Sequence, residues 1–104
     1  MSTFKRFTKY NGTETHVEMH PNAKIVPVGA FGERIMLIEV RLPEGLLEIS
    51  NQAFSGCTSL RWINMPTSLQ KIGEVAFSMC ENLRSIKIPS TVEYIGDSAF
   101  QYCT

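Results

Sequence analysis

The sequence predicts a single solenoid domain of the α/β class, built from short coils of chain that stack on one another. The chain has 104 residues, the length of one domain. Several residue types recur at a constant interval of 23 residues. A single coil of that length cannot enclose a core, so neighbouring coils must bury their apolar residues against each other. The recurring positions are Pro43, Pro66 and Pro89; Ile49, Ile72 and Ile95; Ala53-Phe54, Ala76-Phe77 and Ala99-Phe100; and Cys57, Cys80 and Cys103.

Within one unit the pattern predicts the order strand, corner, short strand and helical turn. Ile63 and Met65 alternate with polar or exposed positions, which is typical of a half-buried strand. Pro66 ends that strand because it has no N–H for the ladder. A second short extended run follows, and Gly73 then allows a tight bend. The A-F-x-x-C-x-x-L stretch has apolar residues at three- and four-residue spacing, which predicts a helical turn.

The unit L-x-x-I-x-M-P-x-S-L-x-x-I-G-x-x-A-F-x-x-C, residues 60–80, resembles the BspA-type leucine-rich repeat. That family is known from bacterial surface proteins and from single-celled eukaryotes. The resemblance covers residues 26–104 well and 17–25 weakly. It implies an α/β, right-handed leucine-rich-repeat solenoid, with parallel strands on one face and short strands or helical turns on the other.

The period divides the chain into a terminal segment and four units. We expect residues 1–19 to form an N-terminal cap segment with the first strand, because terminal units of repeat arrays are usually atypical. Residues 20–104 form the solenoid, with units 20–42, 43–65, 66–88 and an incomplete 89–104. The last unit stops before its strand, so we expect an open C-terminal end.

Charge and hydropathy exclude several classes of protein. Ten basic residues balance ten acidic ones, which argues against a nucleic-acid-binding protein. No apolar run approaches the roughly 20 residues of a membrane span, and no signal peptide begins the chain. We therefore expect no nucleic-acid or membrane partner and a cytoplasmic location, or the cell surface if an upstream signal has been removed.

The sequence offers no convincing catalytic or metal site. The cysteines fall one per coil where the repeat requires a small apolar residue, which predicts buried structural thiols. His16 and His20 are four residues apart but have no evident third ligand. No nucleophile motif or phosphate-binding loop is present. We expect a non-catalytic protein that uses no cofactor or metal.

The outward positions of the predicted strands are the candidate binding surface, since solenoids of this kind bind partners there. An outward Trp62 with arginine neighbours has the composition of an interface hot spot, although it could simply cover its neighbours' aliphatic stems. The function expected is therefore a protein–protein interaction module with an unidentified protein partner. The alternatives are a self-assembling unit, such as a homodimer meeting through the C-terminal edge, and a fragment of a cell-surface adhesin. The candidate partner-binding residues are Glu39, Arg41, Arg61, Trp62, Asn64, Arg84, Ser85 and Lys87.

Overall fold

A computed structural model describes residues 5–7, 13–84 and 86–103 of the chain. In these residues the regular secondary structure consists of eight short strands. The strands are β1 (Lys5–Phe7), β2 (His16–Met19), β3 (Ile25–Val26), β4 (Glu39–Arg41), β5 (Glu48–Ile49), β6 (Trp62–Ile63), β7 (Lys71–Ile72) and β8 (Tyr94–Ile95).

The strands form two parallel four-stranded sheets. The first sheet has the order β1-β2-β4-β6 and the second the order β3-β5-β7-β8. From β2 onward, strands that pair within one sheet are related by the predicted 23-residue step; for example, Val17 pairs with Val40, and Val40 with Ile63. The step from β1 to β2 is shorter, since Lys5 pairs with Val17. The 1–19 segment, expected to be a cap with the first strand, thus contributes two strands to the first sheet.

The core lies between the two sheets, and stacked phenylalanines run through it. The rings of Phe31, Phe54, Phe77 and Phe100 stack with centroids 5.1, 5.2 and 5.3 Å apart and planes within 8° of parallel. The first three are fully buried, whereas Phe100 is only partly buried. The repeat therefore places identical aromatic side chains above one another, as the 23-residue columns predict.

The predicted helical turns are wrong in detail. The segment that carries each Ala-Phe pair forms successive turns instead of a helix. Along it, the N–H groups of Gln52, Phe54 and Gly56 donate to carbonyls of the next coil, while those of Ala53 and Ser55 donate to carbonyls three residues back. Gln52 and Gly56 have positive φ values of 61° and 77°, which a right-handed helix does not contain. Hydrogen bonding between coils therefore replaces the ladder of a helix.

Gly73 has a different role from the bend predicted for it. Its φ lies outside the left-handed region, so its conformation is open to other residues. A Cβ at this position, however, would lie 2.5 Å from both the backbone nitrogen and the Oδ1 atom of Asn51 in the preceding coil. The residue is glycine because two coils approach closely there.

Within the described residues, the first sheet ends at β6. The repeat places a strand at residues 83–88, but no strand is formed by the described part of that stretch, and β6 is the edge of the sheet. The N–H of Arg84 still donates to the carbonyl of Arg61 at 3.1 Å. No backbone hydrogen bond joins the described residues 86–88 to β6.

Candidate functional site

The candidate site is the solvent-facing surface of the first sheet, here called the strand face. Pairing places His16, Glu39 and Trp62 in one row across β2, β4 and β6. Trp62 has 44% of its surface exposed. Of the predicted binding residues, Arg41, Arg61, Trp62, Arg84 and Lys87 are exposed and Glu39 and Asn64 are partly exposed, while Ser85 lies outside the described residues.

The N-terminal part of the strand face carries charges that interact with one another. His16 Nε2 lies 3.8 Å from Glu39 Oε1, so protonation of the imidazole would create an ion pair. The other ring nitrogen, Nδ1, is 2.8 Å from the hydroxyl of Thr15. Glu39 therefore faces a neighbour of its own chain, which makes it a weaker candidate for partner contact than the exposed cations.

Asn64 joins two coils. Its Oδ1 accepts a hydrogen bond from the N–H of Leu42 at 2.7 Å, and its Nδ2 donates to the carbonyl of Leu42 at 2.8 Å. One side-chain amide thus satisfies both backbone groups of a residue in the preceding coil. The sequence predicted Asn64 as a binding residue, but in this structure its amide holds the edge of the strand face together.

A groove opens on the strand face between β6 and the stretch that begins at Ile86. It has a volume of about 500 Å³. We call it the inter-coil groove. Trp62 stands at its rim, and its inner wall is apolar because Ile63, Met65 and Ile86 contribute side chains from the two coils. The remaining lining residues are Asn64, Thr67, Lys87, Pro89, Ser90 and Thr91.

Lys87 places a positive charge in the inter-coil groove. Arg61 and Arg84 lie at the start of the same two coil segments. None of the three forms an ion pair with any residue in the described ranges. A carboxylate, that of Glu44, does reach the lining residue Thr67, where it accepts hydrogen bonds from the backbone N–H and from the hydroxyl at 2.7 Å. The three cations are thus available to a negatively charged partner.

The cysteines are structural, as the sequence predicts. Each Sγ donates to the carbonyl of a phenylalanine in the preceding coil, at 3.0 Å for Cys57, 3.2 Å for Cys80 and 3.0 Å for Cys103. Burial raises the pKa of the Cys57 thiol to about 11 and raises the pKa of Cys80 and of Cys103 as well. Protonated thiols of this kind are poor nucleophiles and poor metal ligands.

Two other kinds of feature are absent from the described residues. No group of three or more histidine, cysteine or acidic side chains could hold a metal ion. No helix there is long and apolar enough to cross a membrane.

Solved structures of bacterial leucine-rich repeat proteins share this architecture. A leucine-rich repeat protein from Bacteroides ovatus is 29% identical over 91% of this chain, with a TM-score of 0.77. The T. pallidum leucine-rich repeat protein is 27% identical over 97% of the chain (TM-score 0.69), and one from Bacteroides capillosus is 25% identical over 99% (TM-score 0.73). The chain spans 26%, 60% and 72% of those three proteins. No curated protein sequence matches it.

The sequence also matches a family model over nearly its whole length. Residues 4–104 match six copies of the BspA type leucine-rich repeat region. The matched range includes β1, which precedes the residues in which the 23-residue period is readily visible. Stacked phenylalanines, paired parallel sheets and this match lead to one assignment: the chain belongs to the BspA-type leucine-rich repeat family.

Proposed function

We propose that this protein is a non-catalytic interaction module that binds a protein partner through the C-terminal part of its strand face. One observation carries the proposal: an exposed tryptophan lines an apolar groove together with Lys87, which forms no ion pair with any described residue. Exposing Trp62 and the groove to water is unfavourable unless a partner covers them. Tryptophan and arginine are also the residue types that dominate binding energy at protein interfaces.

The family supports the same function, because leucine-rich repeat proteins generally mediate protein–protein interaction. The partner's identity is a separate matter, for which the surface itself gives the chemistry. The groove side of Trp62 is basic and apolar, so the partner surface should carry carboxylates around an apolar side chain.

The test compares two double variants in capture of partners from extracts of the source organism, measured by quantitative mass spectrometry. Trp62→Ala with Lys87→Glu removes the aromatic group and reverses one cation of the proposed site. Ile35→Ala with Lys24→Glu makes matched changes at exposed positions outside it. We expect the first variant alone to lose its specific partners while both retain the parent's melting temperature. Equal capture by the two variants would refute the proposed function.

We also propose, as a second candidate, that two copies associate through the coil formed by residues 89–103. Tyr94, Ile95 and Tyr102 expose large apolar surface there, and β8 is an edge of the second sheet. Sedimentation equilibrium over a range of concentrations tests this. A concentration-dependent dimer that Ile95→Asp weakens is the expected result, and a monomer at every concentration would exclude it.

A further inference from the structure

A second, smaller cleft lies on the strand face two coils before the inter-coil groove. It has a volume of about 250 Å³, and we call it the N-terminal cleft. The 23-residue period relates it to the inter-coil groove, because Met19 and Met65 lie two periods apart, as do Pro43 and Pro89. The two clefts are therefore one feature of the repeat that occurs twice. The lining of the N-terminal cleft includes Glu18, Met19 and Pro21 from one coil, and Arg41, Pro43 and Glu44 from the next.

The wall between the two clefts consists of the coils that contain β4 and β6, and side chains bridge these two coils. Asn64 bonds both backbone groups of Leu42. Glu44 accepts hydrogen bonds from the N–H and the hydroxyl of Thr67. These bonds hold the wall together on the side that the clefts share, so the stacking of the coils sets the distance between the clefts.

The coil spacing gives that distance. The rings of Phe31, Phe54 and Phe77 stack at intervals of 5.1 and 5.2 Å, one ring per coil. Because two coil steps separate the clefts, they lie about 10 Å apart. A partner that fills both clefts must therefore present two side chains on one of its faces at this distance.

An α-helix meets this requirement and a β-strand does not. In a helix, residues seven positions apart lie on one face, two turns and about 10.5 Å from each other. In a strand, the side chains on one face recur about every 6.6 Å, so none of them repeats near 10 Å. A polyproline II segment repeats every three residues, at about 9.3 Å, and is the nearest alternative. The spacing thus favours a helix that lies across the strands, along the axis of the solenoid.

The two clefts differ in charge and in size. The carboxylates of Glu18 and Glu44 outnumber the guanidinium of Arg41, which makes the N-terminal cleft negative. Lys87 makes the inter-coil groove positive, and that groove has about twice the volume and is lined by Trp62. A cationic side chain therefore suits the smaller cleft, and a bulky apolar side chain beside a carboxylate suits the larger one.

We infer that the strand face binds an amphipathic helix of the partner protein, which anchors two side chains seven residues apart, one in each cleft. The inference rests on the proposed function and extends the contact from the inter-coil groove to the N-terminal cleft. The anchor in the N-terminal cleft is lysine or arginine. The anchor in the inter-coil groove is a large apolar residue, with a carboxylate within one helical turn of it to meet Lys87. Met19 and Met65, one in each cleft, give the anchors adaptable apolar contacts.

The test uses the whole chain and a displayed library of helical peptides, whose selected binders are made as fluorescent peptides and measured by fluorescence anisotropy. We expect the binders to share a basic and a large apolar residue seven positions apart. Insertion of one alanine between these anchors should weaken binding about tenfold or more, because it turns the second anchor by about 100° away from its cleft. Proline at the central position should also abolish binding, because it breaks the helix.

Charge reversals on both molecules assign each anchor to a cleft. Glu18→Lys should weaken binding about tenfold, and a peptide whose basic anchor is changed to glutamate should recover the loss. Glu18→Gln, a smaller change, should weaken binding severalfold. Lys87→Glu should likewise be compensated by lysine in place of the peptide's carboxylate. Glu93→Lys is the matched control, since it reverses an exposed carboxylate next to β8, outside both clefts, and should leave the affinity unchanged.

The outcomes also separate this inference from the proposed function. A library without helical binders, or binding that tolerates the inserted alanine, would overturn the two-cleft helix. Binding that survives the central proline would identify a polyproline II occupant, and binding that Lys87→Glu abolishes but Glu18→Lys leaves intact would confine the contact to the inter-coil groove. Either result would also overturn the inference. If partner capture still depended on Trp62 in these cases, the interaction module would stand and only its binding mode would be wrong.

Discussion

The phenylalanine stack makes a sharp prediction for the substitution Phe77→Ala. Phe77 is fully buried, and its ring is stacked between Phe54 at 5.2 Å and Phe100 at 5.3 Å. Its neighbours belong to the rigid cores of adjacent coils, which are joined by backbone hydrogen bonds on both sides of the turn segment. The cavity left by the missing ring therefore cannot close by local collapse.

The expected cost is at the upper end of the range for such a change. Truncation of a buried phenylalanine costs about 3–5 kcal/mol, and each stacked aromatic pair contributes about 0.5–1.5 kcal/mol beyond burial. We expect a loss of about 5 kcal/mol. A domain of this length has a free energy of unfolding of about 5–15 kcal/mol, so Phe77→Ala removes a third of it or more. Because each coil stabilises only its neighbours, the coils on either side of position 77 should also unfold less cooperatively.

Urea denaturation followed by circular dichroism measures this loss. With a denaturant dependence of about 2 kcal/mol per M, a 5 kcal/mol loss lowers the midpoint by about 2.5 M. Phe100→Ala is the matched control, since it removes the same ring where that ring is only partly buried and, among the described residues, stacks on Phe77 alone. It should cost about half as much. Equal losses in the two variants, or a sharp transition for Phe77→Ala near the parent's midpoint, would refute the assignment of Phe77 to the middle of the stack.

Three further predictions concern contacts between coils. Asn64→Ala should lower the free energy of unfolding by about 2–3 kcal/mol in urea titrations, because it leaves the N–H and carbonyl of Leu42 without partners; a loss below 0.5 kcal/mol, roughly the noise of such data, would contradict this. Gly73→Ala should cost about 1–3 kcal/mol in the same assay, since the new methyl group meets the backbone of Asn51, and an unchanged midpoint would show that the coils can separate there. Raising the pH should destabilise the protein: Cys57 keeps its proton up to a pKa of about 11 when folded but loses it near 9.0 when unfolded, so the stability present below pH 9 declines between pH 9 and 11. Cys57→Ala should show a shallower decline than the parent, and an identical pH profile would exclude this thiol as a cause.

Much of the fold could be predicted from the sequence because the core depends on columns of identical residues. The Phe54, Phe77 and Cys57 columns follow from the 23-residue period, and the structure confirms each as buried. The prediction of a helical turn was wrong because the spacing of apolar residues does not show where the backbone N–H groups donate. Gln52 has a positive φ, but glutamine has no special preference for that conformation, so the sequence did not indicate it.

The binding surface was less predictable, since the sequence does not show which outward side chains are already hydrogen-bonded within the chain. Asn64 and Lys87 fall in the same outward column and looked equivalent as partner-binding residues. In the structure the amide of Asn64 is bonded to the backbone of Leu42, while Lys87 faces an open groove. The column holds Arg41, Asn64 and Lys87, and of these only the asparagine amide can both donate and accept, which is the signal that Asn64 could bond a neighbouring backbone.

The departures from the repeat therefore carry more functional information than its agreements. A column with the same residue in every coil, such as that of Phe77, is explained by packing against the copies above and below. A column that changes chemistry from coil to coil cannot be explained by stacking alone, because the ladder would favour one residue throughout. Asn64 bonds the backbone of Leu42, whereas Lys87 lines the groove with Trp62. If an asparagine at position 87 bonded the backbone of Met65 as Asn64 bonds that of Leu42, Lys87→Asn would raise the free energy of unfolding, and an unchanged urea midpoint would show that it does not.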